Sequence, residues 1–135
     1  MLKMYLFDAS AIINLVKREY LKPFIDGATL DLAIYESLNA IWKEYLLLHH
    51  LDDETVKRLL SILRGIFSVV SIASISGYEY EVFELAVKEK LTVYDAAYLY
   101  YAAKNKLILV TDDARLREKV KQYLETVSTR ELMHE

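Results

Sequence analysis

Leu107-Ile108-Leu109-Val110-Thr111-Asp112-Asp113 is the stretch on which the fold turns. Its four apolar residues run without alternation, as in a strand buried on both faces within a parallel sheet. The run ends in a hydroxyl and two acids, and a helical pattern from Ala114 to Tyr123 follows. A carboxylate therefore stands where a strand hands over to a helix. Immediately upstream, Thr92-Val93-Tyr94-Asp95-Ala96-Ala97-Tyr98 opens a helix that reaches Lys104 and ends at Asn105. Thr92 and Asp95 have the spacing of a capping box, and an acid in a first turn also suits the helix dipole.

The same junction recurs towards the N-terminus. Lys3 to Phe7 reads as a strand running into Asp8-Ala9-Ser10, with Ser10 placed to cap a helix through Ile12, Ile13, Leu15 and Val16. After the turn signal Asp26-Gly27, residues Leu30 to Ile34 read as a second strand. It feeds a helix from Tyr35 to His50, with Leu38, Ile41, Trp42, Tyr45 and Leu46 as its buried stripe and Glu36 and Asn39 on one face near its start. Asp52-Asp53-Glu54 open a further helix as cap and first-turn acids, with Gly65 as its terminator. Val69 to Ala73 forms a third strand, and a helix from Tyr78 to Lys90 turns Val82, Phe83, Leu85 and Ala86 inward. Glu125 to Ser128 completes the strands, before a closing helical turn. Strands alternating with helices predict a parallel sheet covered on both faces.

The chain has 135 residues, 54% hydrophobic and 27% charged, with three glycines and Pro23 as its single proline. That length buries a core without disulfides or a structural metal, and 1–135 reads as one domain without linkers or repeats. The absence of cysteine is compatible with a reducing compartment. Neither a signal peptide nor a membrane span is evident, so the expected location is the cytoplasm. A formal charge of -3 argues against a surface that attracts nucleic acid everywhere. It leaves open an enzyme whose carboxylates gather at one site while a basic rim meets phosphate.

In an open parallel sheet, ligands bind beyond the carboxyl ends of the strands. Asp8, Glu36 and Asp113 follow strands and Asp95 opens a helix, so all four can face one crevice. Gathered carboxylates repel one another and are driven to protonate unless a cation joins them. Mg²⁺ or Mn²⁺ takes such oxygen donors and can activate water on a phosphodiester. Other catalytic kits fit poorly. No cysteine is available as a nucleophile, His49 and His50 point in different directions on a helix, and no glycine-rich phosphate loop is present.

Phe7-Asp8-Ala9-Ser10, Glu36-Ser37-Leu38-Asn39, Tyr94-Asp95-Ala96-Ala97-Tyr98 and Thr111-Asp112-Asp113 resemble, in order and approximate spacing, the motifs of PIN-domain nucleases. The small size resembles that of the VapC-type toxins of toxin–antitoxin pairs. The resemblance implies an α/β/α sandwich around a parallel sheet of about five strands and a metal-dependent endoribonuclease leaving a 5′-phosphate and a 3′-hydroxyl. It also implies a homodimer and a small antitoxin partner. Asp8, Glu36, Asp95 and Asp113 match the family's four acids, with Asp112 either an auxiliary ligand or a cap. Ser10 and Thr111 match hydroxyl positions that orient ligands or cap helices, and Asn39 is placed to support Glu36. Lys17, Arg18, Lys43, Lys104, Arg115 and Arg117 are the candidates for a phosphate-facing rim. Tyr94, Tyr98 and Tyr101 recur near helical spacing, either to stack on unpaired bases or to pack in the core or a subunit interface. Alternatives from other classes are a non-catalytic RNA- or protein-binding module on the same fold, or an RNA-processing or DNA nuclease that is not a toxin.

Overall fold

The computed structural model describes residues 4–134. Five parallel strands lie in the order β3-β2-β1-β4-β5, namely β1 Tyr5–Phe7, β2 Ala28–Leu30, β3 Ser71–Ala73, β4 Ile108–Val110 and β5 Thr126–Val127. Seven α-helices follow or link them: α1 Ala9–Lys17, α2 Leu32–Trp42, α3 Asp53–Val69, α4 Glu79–Glu89, α5 Val93–Lys104, α6 Ala114–Val120 and α7 Thr129–Met133. The result is an α/β/α arrangement with a wholly parallel sheet. The expected strand from Lys3 begins at Tyr5, and Lys3 itself lies outside the described residues.

β1 and β4 form the middle of the sheet, with Leu6 opposite Leu109 and Phe7 opposite Val110. All four of these residues are fully buried. From β1 the chain winds outwards through β2 to β3, then crosses over to build β4 and β5 on the other side. The reversal of strand order therefore falls between β1 and β4, where an open α/β sheet leaves its crevice. α1 packs with α2, α3 and α7, while α4 packs along α5. Among the described residues, no helix is long and apolar enough to cross a membrane.

Several boundaries differ from expectation for physical reasons. β2 ends at Leu30, because Asp31 already has helical backbone angles and its side chain accepts the Leu32 amide. The near-alternation of Leu30, Leu32 and Ile34 thus belongs partly to a strand and partly to the first turn of α2. Gly65 does not end α3, which runs on to Val69 through an exposed position where a Cβ would meet nothing within 4 Å. Gly27 has the opposite character. A Cβ there would come within 2.6 Å of the Phe7 ring, so the turn into β2 needs glycine to approach β1.

The largest correction concerns which faces are covered. Of the stripe expected on α2, only Ile41 is buried; Leu38, Trp42, Tyr45 and Leu46 lie open, the last two in a π-helical turn over Lys43–Leu47. On α4, Val82 and Ala86 face the core as expected, but Phe83 is exposed. Periodicity identified apolar faces, but the chain leaves part of them uncovered.

Candidate active site

The first acid is fixed by the turn that ends β1. Asp8, not Ser10, caps α1, its Oδ1 accepting the Ala11 amide at 2.9 Å. Ser10 Oγ donates to the same oxygen at 2.7 Å and accepts the Asp112 amide at 3.1 Å. This hydroxyl therefore joins the ends of the two central strands. Thr111, fully buried, accepts the Asp113 amide at 3.1 Å and sets the turn after β4. Both hydroxyls thus serve the geometry of the acids.

Asp8 is buried, and loss of solvation pushes its carboxyl up to about 6. Hydrogen bonds from Thr111, Ser10 and the Ala11 amide oppose that rise, while the Glu36 charge adds to it. Glu36, half-buried in the second turn of α2, is raised by desolvation and by Asp95, against the lowering effect of a hydrogen bond from Tyr98. Asp95 is raised by desolvation and by Asp113, with Arg115 partly offsetting both. The carboxylates form an electrostatic chain, Asp8 to Glu36 to Asp95 to Asp113. Asp8, Glu36 and Asp95 hold their protons more tightly than usual because burial disfavours their charged forms and each also faces another acid.

Asp113 caps α6 through the Leu116 amide at 3.1 Å and is exposed. Asp112 behaves differently. Its Oδ2 accepts from Asn14 at 2.5 Å and from the Thr129 hydroxyl at 2.6 Å, and its Oδ1 accepts the Thr129 amide at 2.8 Å. Although desolvation works against it, these bonds hold its carboxyl below the usual range. Asp112 ties α1 and α7 to the end of β4. Asn39 is exposed and, among the described residues, makes no side-chain hydrogen bond to Glu36. Tyr98 does, donating at 2.8 Å from a side chain only 2% exposed. That role was not read from the sequence, although Tyr98 lies three residues after Asp95 and shares its helix face.

Of the expected basic rim, Lys17 pairs with Glu44 at 2.6 Å and Lys104 sits 4.8 Å above the Tyr78 ring. Arg117 donates to the Thr111 carbonyl at 2.8 Å. Arg115 is exposed and its charge acts on Asp95. Among the described residues, no three acidic or histidine side chains converge as a ready-made metal cage. The donor chemistry nevertheless fits Mg²⁺ or Mn²⁺, since Mg²⁺ usually keeps several waters and needs only one or two carboxylates.

Thr92 Oγ1 accepts the Asp95 amide at 3.1 Å, which is one half of the capping box that the spacing implied; the Asp95 carboxylate does not return the bond to the Thr92 amide. Replacing Thr92 with Ala is expected to cost about 1 kcal/mol of stability, the ordinary worth of such a cap. Denaturation with and without the substitution measures this, and an unchanged midpoint would remove the cap from the account.

This sheet order, with carboxylates grouped at the switch between its central strands, defines a PIN-like nuclease fold. No protein-family model matches the chain. It is 38% identical over 119 residues to Exonuclease VapC9 of Pyrobaculum aerophilum, covering 87% of this chain and 86% of that protein. It is 37% identical over 91 residues to Ribonuclease VapC3 of the same organism, covering 67% and 69%. A crystal structure of PAE2754 from Pyrobaculum aerophilum superposes with a TM-score of 0.80 at 33% identity, covering 99% of this chain and 96% of that one. The DNA-bound VapBC structure from Salmonella typhimurium shares the fold, with a TM-score of 0.65 at 16% identity over 96% and 99% of the two chains. The chain belongs to the VapC family of PIN-domain nucleases.

Proposed function

We propose that this nuclease is a Mg²⁺- or Mn²⁺-dependent endoribonuclease and the toxin of a toxin–antitoxin pair. The observation that carries the chemistry is the chain Asp8–Glu36–Asp95–Asp113, whose first three members are pushed towards protonation by burial and by the charge of the next acid in the chain. One or two of these carboxylates would bind the ion directly and the others through its waters, while Asp112, with both oxygens engaged, keeps the β4 turn in place. When bound, such a cation activates water and offsets charge on the phosphodiester. The protein's own contribution is placement. Ser10 and the Ala11 amide hold Asp8, Tyr98 holds Glu36, and Thr92 sets the turn that carries Asp95. Arg115 offers a charge to a substrate phosphate, which the acids alone would repel.

One relative is named an exonuclease and the other a ribonuclease. A covalently closed RNA circle separates the two modes, because it has no end to degrade. Purified protein with Mn²⁺ is expected to linearise the circle, leaving a 5′-phosphate and a 3′-hydroxyl. Digestion of linear RNA alone, with the circle intact, would replace the endonucleolytic reading by an exonucleolytic one.

For protein partners we propose a small antitoxin and a second copy of this chain. VapC membership supports the first. The open apolar side chains Tyr35, Leu38, Trp42, Leu46 and Leu47 are the kind of surface that protein partners cover. Chromatography and co-expression with the product of a neighbouring small reading frame test both.

A further inference from the structure

We infer that Tyr98 is a positioning residue for the cleft, its buried hydroxyl holding the Glu36 carboxylate in the orientation used to bind a divalent cation. This rests on the metal-dependent reading above. Tyr98 lies on α5 and Glu36 on α2, 62 residues apart in sequence, and Tyr98 Oη donates to Glu36 Oε1 at 2.8 Å. The phenol also feels the charges of Asp8 and Asp95, so its hydroxyl stands among three of the four acids.

The physical need for such a contact follows from Glu36 itself. A glutamate has three side-chain torsions and loses considerable freedom when held in one rotamer. Asp8 and Asp95 repel its carboxylate, and α2 offers it an open route to solvent because Tyr35 and Asn39 are both exposed. Without a restraint, repulsion would drive Glu36 out of the crevice. The restraint must leave the charge in place. A Lys or Arg partner would neutralise Glu36 and compete with the ion, whereas a phenol donates one neutral hydrogen bond. Because that bond goes to Oε1, the carboxylate keeps Oε2 for a ligand. The Tyr98 ring is locked in the core, so its hydroxyl is a fixed reference point.

Tyr98→Phe keeps the ring and removes the donor. Loss of a partner that orients a metal ligand commonly costs about 10- to 100-fold in affinity or activity. The Mn²⁺ dissociation constant, read by electron paramagnetic resonance on substrate-free protein, is expected to rise by about that factor in Tyr98→Phe. The same substitution on a Glu36→Gln background is expected to change it by less than about twofold, since the group that Tyr98 acts through has lost its charge. A role confined to packing would give the same loss on both backgrounds. Equal Mn²⁺ binding by wild type and Tyr98→Phe overturns the inference alone, as does an identical loss on the two backgrounds. A wild-type protein that binds no Mn²⁺ overturns both this inference and the metal-dependent reading.

Discussion

Asp95→Asn is expected to lower RNA cleavage by about a thousandfold while leaving the protein at least as stable as the wild type. The loss follows from charge. A carboxylate about 4 Å from a cation contributes about 4 kcal/mol at the effective dielectric of a protein surface, and each 1.36 kcal/mol is tenfold in rate. The amide keeps the shape of the side chain and gives up that charge. Stability holds because Asp95's part in the α5 cap is played by its backbone amide, which donates to Thr92 and is retained. The carboxylate itself is a burden on the fold, desolvated and facing Asp113. Removing its charge relieves that repulsion in ion-free protein. Paired measurements of initial cleavage rate and thermal midpoint check the pattern. Cleavage at the wild-type rate would take Asp95 out of the site, and a large fall in midpoint would return it to a structural role. Thr92→Ala supplies the converse, losing stability while keeping most of its activity.

The Thr92 cap was legible in the sequence because it rests on local spacing. The same holds for the strand-to-helix junctions that carry Asp8 and Asp113, since an apolar run followed by a cap is a short-range signal. Features that depend on distant residues were not legible. Asn14 and Thr129 claim Asp112 from 98 and 17 residues away, and Tyr98 reaches Glu36 across 62. Their side chains are ordinary hydrogen-bonding groups with nothing local to mark the partner. The open stripe on α2 shows a second limit. Leu38, Trp42 and Leu46 have the spacing of a buried face, and periodicity cannot tell a face covered by the same chain from one left for another. The end of α3 was misplaced for a third reason. Gly65 is a frequent terminator, but an exposed helical glycine costs only about 1 kcal/mol, and the packing of Leu59, Leu63 and Ile66 carries the helix past it.

The second large effect is on stability, and its sign is unusual. Most carboxylates in folded proteins lose protons more easily than in the unfolded chain, so stability rises as acid is removed. Asp8 is shifted the other way, from 3.8 to about 6. Between those values the folded protein holds a proton that the unfolded chain has released, so raising the pH favours unfolding. This contribution is fully present below about pH 4 and lost as the pH passes 6. A shift of about two pH units corresponds to about 3 kcal/mol. Glu36 and Asp95 move in the same direction, with a smaller effect because they are half-open to solvent. Asp112 works oppositely, since its carboxyl lies below the usual range and its stabilisation disappears in stronger acid. Ion-free protein is therefore expected to lose stability from about pH 4 to about pH 6. Mn²⁺ at about a hundred times its dissociation constant restores about 2.7 kcal/mol at pH 7. Below pH 6 that gain shrinks, because the ion must displace the proton on Asp8. Asp8→Asn has no such proton to lose, so its stability should be flatter across this window and respond little to Mn²⁺. Denaturant titrations at several pH values, in chelator and in Mn²⁺, measure all of these together. A steady rise in ion-free stability through the window, or an unaltered slope in Asp8→Asn, would mean that Asp8 is ionised in the folded chain without a cation. The acids would then be tolerated by the fold on its own, and the case for an ion at their centre would lose its electrostatic basis.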